Sequence, residues 1–182
     1  MSIEQVILVD ETDTPVGTME KMEAHQKALL HRAFSVFIFN SKGDMLLQRR
    51  APGKYHSPGL WTNACCSHPR PGEDTRNAAL RRLQEEMGFS TALEKSFDFI
   101  YRTEFGNGLT EHEFDHVFVG FFDGAINPDA AEVSDYCFRS PDEICSDLAS
   151  VPDRFTVWFH LAFPLIAAAR TSAGQPIGPL RP

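Results

Sequence analysis

Apolar and polar positions along the chain predict short strands alternating with a few helices. Ile3 to Val9 is a brief apolar run that predicts a strand. Ala33 to Asn40 (AFSVFIFN) and Met45 to Gln48 flank Ser-Lys-Gly-Asp, which predicts two strands joined by a tight turn at Gly43. Arg49 to Pro71 lacks any period. Its Pro and Gly content predicts an irregular stretch, and it holds a high density of reactive side chains. From Asp74 to Met87 the residues Ala79, Leu80, Leu83 and Met87 recur at helical spacing, and Gly88 stands where a helix would stop. Phe97 to Phe105 and Glu113 to Phe122 predict two strands around Gly106-Asn107-Gly108. Tyr136 to Arg139 predicts a last strand, and Ser140-Pro141-Asp142-Glu143 then opens a helix with a capping-box pattern. A final amphipathic helix is expected over Arg154 to Ala169, followed from Thr171 by a frayed, turn-rich tail. The pattern is that of one mixed α/β domain over residues 1–170.

Composition narrows the function. With 182 residues, 42% hydrophobic and 23% charged, the chain is long enough to bury a core without disulfides or structural metal. Its 17 basic and 25 acidic residues give a net charge of −8, which disfavours a nucleic-acid partner. The best candidate for a membrane span, Val157 to Ala169, is interrupted by His160 and Pro164, so no span is expected. The start shows no signal-peptide pattern. The four cysteines, 65, 66, 137 and 145, include no C-x-x-C pair, and a bridge between the neighbours 65 and 66 would be strained. A reduced, cytoplasmic chain with free thiols is expected.

The helix ending Arg81-Arg82-Leu83-Gln84-Glu85-Glu86-Met87-Gly88-Phe89 places Arg82 with Glu86, and Arg81 with Glu85, at i,i+4 spacing. Such pairs suit a solvated face. The same carboxylates are also hard oxygen ligands that could hold Mg²⁺ against a phosphate. The segment resembles the Nudix box, G-x5-E-x7-R-E-U-x-E-E-x-G-U with U aliphatic. Glu73, Arg81, Leu83, Glu85, Glu86 and Gly88 match it, while Ser67 replaces the first Gly and Phe89 is aromatic. Arg82 replaces the first Glu of the R-E-U-x-E-E core, and this substitution exchanges a metal ligand for a phosphate clamp. The fold signal survives and the hydrolase signal weakens. Lys21, Arg50 and Lys54 add cations around a possible diphosphate.

Five residues separate His25 from His31, so the two converge only if a bend or a helix-to-strand junction lies between them. Glu111 and Glu113, two apart, share one side of a strand. Each histidine alone reads as a surface or core residue. Together, Lys21…His25…His31, then W-T-N-A-C-C-S-H-P, the altered Nudix box, E-H-E and Trp158 occur in an order that closely resembles the type 1 isopentenyl-diphosphate isomerase family. The resemblance runs from the first strand to about Phe163. It implies a Nudix-like mixed β-sheet sandwiched between helices. It also implies a divalent metal (Mn²⁺, Zn²⁺ or Mg²⁺) on His25, His31, His68, Glu111 and Glu113, and Mg²⁺ on Glu86 bridging to the diphosphate. Lys21, Arg50, Lys54 and Arg82 would bind the diphosphate. Cys66, the thiol two before His68, takes the catalytic position, and Cys65 would pack on the other side of an extended segment.

Moving a double bond by one position requires adding a proton to a terminal methylene and removing another from the allylic carbon. That calls for an acid, a base and exclusion of water. Cys66 and Glu113 can supply that pair in either assignment; the reading taken is that Glu113, with Tyr101, delivers the proton and Cys66 acts as base, with the π-face of Trp158 beside the developing cation. The competing readings are a Nudix-type pyrophosphatase acting on a nucleoside or prenyl diphosphate, and a non-catalytic metal- or nucleotide-binding domain.

Overall fold

The computed structural model describes residues 4–172. Nine strands among them join one mixed sheet: β1 Gln5–Val9, β2 Pro15–Glu20, β3 His31–Phe39, β4 Met45–Arg50, β5 Trp61–Thr62, β6 Cys65–Ser67, β7 Leu93–Glu104, β8 Thr110–Phe121 and β9 Val133–Arg139. The helices are α1 Lys21–Gln26, α2 Thr75–Met87, α3 Pro141–Ser150 and α4 Val157–Ser172. Ile3 of the first expected strand lies outside the described residues. Of the tail expected from Thr171, the first two residues close α4 and the rest lies outside.

β3 is the axis of the sheet. β8 runs parallel to it over its full length, from His31↔Glu113 to Phe39↔Phe121. A strand has two edges, so the antiparallel partners β1, β6 and β4 share the other one. Side chains on β3 alternate between faces. Phe34, Val36 and Ile38 pack with Ala78, Ala79, Leu83 and Met87 of α2. Phe37 and Phe39 pack with Phe159, Ala162, Phe163 and Ile166 of α4 and with Ile144 of α3. The sheet is therefore sandwiched between α2 and the α3–α4 pair. Burying each of these large side chains contributes roughly 1.5–3 kcal/mol.

Helix ends follow the local chemistry. Asp74 caps α2 by accepting from Asn77 N at 3.0 Å, and Gly88 ends it at φ 76°. Both halves of the capping box of Ser140 and Glu143 form at α3. The last helix starts later than expected, because Pro152–Arg154 is a 3₁₀ turn and Phe155 is extended. The stretch from Arg49 to Pro71 is less irregular than expected, since it finishes β4 and contains β5 and β6. Those strands of two and three residues are too short for a hydrophobic period. β2 also escapes the pattern, because most of its residues are exposed. α1 is held by its cap, the Glu20 carboxylate accepting from Met22 N and Glu23 N.

Gly88 does more than end α2. A Cβ there would overlap the carbonyl of Asn127, whose own N–H donates to Met87 O at 3.2 Å. Gly88→Ala is expected to destabilise the fold by more than about 1 kcal/mol in urea unfolding. Gly72→Ala, at φ 80° with nothing near its Cβ, should lose less. Equal losses would remove the close approach as a cause.

Candidate active site

His25 lies in the last turn of α1 and His31 opens β3. The required junction is a tight one. Ala28, at φ 53°, reverses the chain, and Leu29 N returns to Ala24 O at 3.1 Å. His112, between the two glutamates, points the other way and bonds Ala28 O at 3.0 Å, bracing this turn against β8. The His25 and His31 rings come within 4.8 Å of each other, and the His31 and His68 rings within 5.0 Å. The parallel register sets Glu113 beside His31. Its Oε1 lies 2.9 Å from His68 Nε2 and 3.6 Å from His31 Nε2.

One ligand atom from each of His25, His31, His68 and Glu113 fits within a 4.8 Å cluster. Main-chain carbonyls fix two of the rings: Lys21 O meets His25 Nδ1 at 2.7 Å, and Leu29 O meets His31 Nδ1 at 2.8 Å. Each ring's Nε2 is buried without a hydrogen-bond partner. Burial, and then His31, pushes the His25 pKa down. Burial drives that of His68 to about 4 despite Glu113. Buried imidazole nitrogens that lack a hydrogen-bond partner, beside a carboxylate, fit a divalent metal. Burial opposes charge on His31 and on Glu113. Their mutual contact prevails, raising the histidine and holding the carboxyl well below its usual range.

Glu111 does not join that cluster. Its Oε1 meets His56 Nε2 at 3.1 Å and its Oε2 accepts from Tyr101 OH at 3.0 Å. Tyr101 also reaches Glu113 Oε2, at 2.7 Å. Burial and the neighbouring Glu113 charge push the carboxyl of Glu111 well up.

A cavity of about 690 Å³, of a size that suits a small molecule, opens beside these groups. Cys66, Tyr101, Glu111, Glu113 and His68 line it, as do Lys21, Arg50, Lys54, Arg82 and Trp158. His25 and His31 are fully buried and do not line the cavity. Glu86 does not line it either. Its carboxylate is engaged by Arg82 at 2.6 Å and Gln48 at 3.2 Å. Arg50 lies over the Trp158 ring at 5.2 Å.

β6 turns its two cysteines to opposite sides. Cys65 is fully buried in the α2 layer, while Cys66 meets the cavity. The four cysteines are free. The Cys66 thiol donates to Asn63 Oδ1 at 3.1 Å and lies 3.4 Å from Ser35 Oγ, which itself donates to Asp115 at 2.7 Å. Burial, then Asp115, pushes the thiol pKa up.

Sequence reasoning passed over His56, Asp115 and Glu132. His56 stacks on Phe105 at 4.9 Å, and burial together with Arg50 drives its pKa down to about 3. Asp115 was legible, because it extends the period-two row of Glu111 and Glu113. No local pattern marks Glu132.

The NUDIX domain family model matches residues 29–159. The Isopentenyl-diphosphate Delta-isomerase of Pectobacterium atrosepticum is 54% identical over 165 residues, covering 90% of this chain and 91% of that protein. Isopentenyl-diphosphate Delta-isomerase 2 of Aromatoleum aromaticum is 50% identical over 182 residues, covering 96% and 95%. Among solved structures, a Deinococcus radiodurans protein aligns with a TM-score of 0.68 at 20% identity, over 81% of this chain and 90% of that one. A MutT protein from Methanosarcina mazei aligns at 0.63 and 18% identity, over 80% and 96%. The solved structures bear on the fold alone.

His31→Ala is expected to weaken Mn²⁺ or Zn²⁺ binding at least about 100-fold by calorimetry, with the far-UV circular dichroism unchanged. Full affinity in that variant would exclude the cluster as a metal centre.

Proposed function

The chain belongs to the isopentenyl-diphosphate Delta-isomerases, a family carried on a NUDIX domain, and on that premise we propose that it converts isopentenyl diphosphate to dimethylallyl diphosphate. The observation that carries the reading is that one cavity is lined by a thiol, a tyrosine–glutamate pair, an indole and six cations, the four matched by the resemblance among them. No hydrolysis is required. The diphosphate anchors the substrate and leaves intact.

In this reading Lys21, Arg50, Lys54 and Arg82 hold the diphosphate oxygens, which supplies binding energy remote from the reacting carbons. Cys66 and Glu113 are the two proton-transfer groups, and they approach from strands on opposite edges of β3. Tyr101, within hydrogen-bond reach of Glu113, orients or relays the proton. The two groups exchange roles when the reaction reverses, so the same pair serves both directions. Trp158 offers its π-face to the tertiary cation and cannot trap it as a nucleophile. Water at the reacting carbons would capture that cation, so the reaction requires its exclusion there.

His25, His31, His68 and Glu113 would hold a divalent ion (Mn²⁺, Zn²⁺ or Mg²⁺), and Glu111 would join them only after leaving His56. Glu86 would take Mg²⁺ with the diphosphate after exchanging its bond to Arg82. A bound cation there supplies positive charge that lowers the proton affinity of a ligating carboxylate. Residues 1–170 act as one domain in this account. The free thiols suit a reducing, cytoplasmic setting. Among the described residues no helix is long and apolar enough to cross a membrane.

Proton NMR in D₂O with isopentenyl diphosphate and Mg²⁺ is expected to show dimethylallyl product carrying deuterium, with no phosphate released. Cys66→Ala and Glu113→Gln should each lose at least about 10³-fold in kcat while remaining folded. Cys65→Ala should retain near-normal turnover. Phosphate release without isomer would make the chain a hydrolase, and near-normal turnover in either cavity variant would remove that residue from the mechanism.

A further inference from the structure

Three of the four cations assigned to the diphosphate already face a carboxylate of the protein. Lys54 Nζ pairs with Glu132 Oε2, and Arg82 reaches Glu132 Oε1 at 3.3 Å. Lys21 pairs with Glu4 at 3.1 Å. Both glutamates line the cavity. Arg50 is held differently, by the carbonyl of His56 at 3.1 Å and by the Trp158 ring.

The Glu132 carboxylate spans two cations that come from distant parts of the chain, the loop after β4 and the middle of α2. A diphosphate would make the same kind of bridge, with more charge and more acceptor oxygens. The carboxyl of Glu132 feels some burial, which opposes its charge, but Lys54 and Arg82 hold its pKa below the usual range, so it is an anion in place.

Its main chain is secured without help from the carboxylate. Ala51 N donates to Glu132 O at 2.9 Å, Glu132 N donates to Asp129 O at 3.0 Å, and Asp129 N donates to Glu86 O at 2.9 Å. The side chain can therefore release both cations while the loop stays where it is. The ion pairs themselves are reachable by water, with Lys54, Arg82 and Glu132 side chains 21%, 20% and 25% exposed. Pairs of that exposure contribute little to folding and exchange readily for a better anion.

From this geometry we propose that Glu132 is an exchangeable counter-ion, standing where the diphosphate goes and yielding Lys54 and Arg82 to it on binding. Glu4 serves Lys21 in the same way. The inference rests on the diphosphate reading above and deepens it, because it names a residue that sets affinity for the anion. Glu132 is neither an acid nor a base for the alkene. Its charge opposes binding and neutralises Lys54 between turnovers, while at Arg82 it shares the cation with Glu85 and Glu86.

The test is the Glu132→Gln variant, which keeps shape and hydrogen-bonding capacity and removes the charge. In metal-loaded protein, its Kd for inorganic pyrophosphate by calorimetry and its KM for isopentenyl diphosphate should both fall, about three- to tenfold. Glu4→Gln should shift both in the same direction, by less, because Glu4 is the more exposed partner at 54%. A residue that merely orders the loop, or that ligates a metal with the substrate, would give weaker binding when neutralised. Unchanged or weaker pyrophosphate binding in Glu132→Gln therefore overturns the inference while leaving the isomerase reading intact. Wild-type protein that neither binds pyrophosphate nor isomerises the substrate overturns the diphosphate reading and this inference with it.

Discussion

Nine residues of β3 pair in parallel with residues 113–121 of β8, and the chemistry of the cavity inherits its geometry from that ladder. Because side chains alternate along a strand, the register that puts His31 beside Glu113 also turns Glu111 and Asp115 to the same face. A slip of one residue would send all three carboxylates to the opposite side of the sheet and leave the histidines without an anion. The apolar layers under α2 and α4 enforce the register, since the same slip would take Val117 out of the α4 layer and Phe118 out of the α2 layer.

The ladder concentrates charge where an apolar core would be more comfortable. Glu111, Glu113 and Asp115 are each less than a tenth exposed, and so are His31, His56 and His68. Isolated ions in such a place would cost several kcal/mol apiece, so the groups share protons and hydrogen bonds. Glu113 keeps its charge by leaning on two histidines, while Glu111 and Asp115 are pushed toward the neutral acid. The unpartnered imidazole nitrogens are the remaining debt of this arrangement, and a divalent ion would settle it.

Much of this was legible in the chain. The strand runs, the capped helix ending at Gly88 and the capping box at Ser140 are local signals, and they survive folding because local chemistry dictates them. The E-H-E period correctly predicted two glutamates on one face, and the Cys65–Cys66 alternation predicted one thiol in and one out. What stayed hidden depends on contacts distant in sequence. Glu86 is a matched position of its motif, yet it is turned away from the cavity by Arg82 and Gln48. Glu111 sits with His56 and not with the other histidines, a choice made by a loop with no periodic pattern. The role of Glu132 comes from a backbone bond to Ala51, eighty-one positions earlier.

The parallel ladder also orders events in time. His25, His31 and His68 leave the ribosome well before Glu113, and the pairing that unites them closes a loop of about eighty residues. Contacts so remote in sequence form late during folding. A nascent chain can hold all three imidazoles and still lack the carboxylate that completes the cluster. Capture of a metal ion by the full set would therefore await closure of the sheet, and a chain stalled before β8 would carry the histidines without the carboxylate.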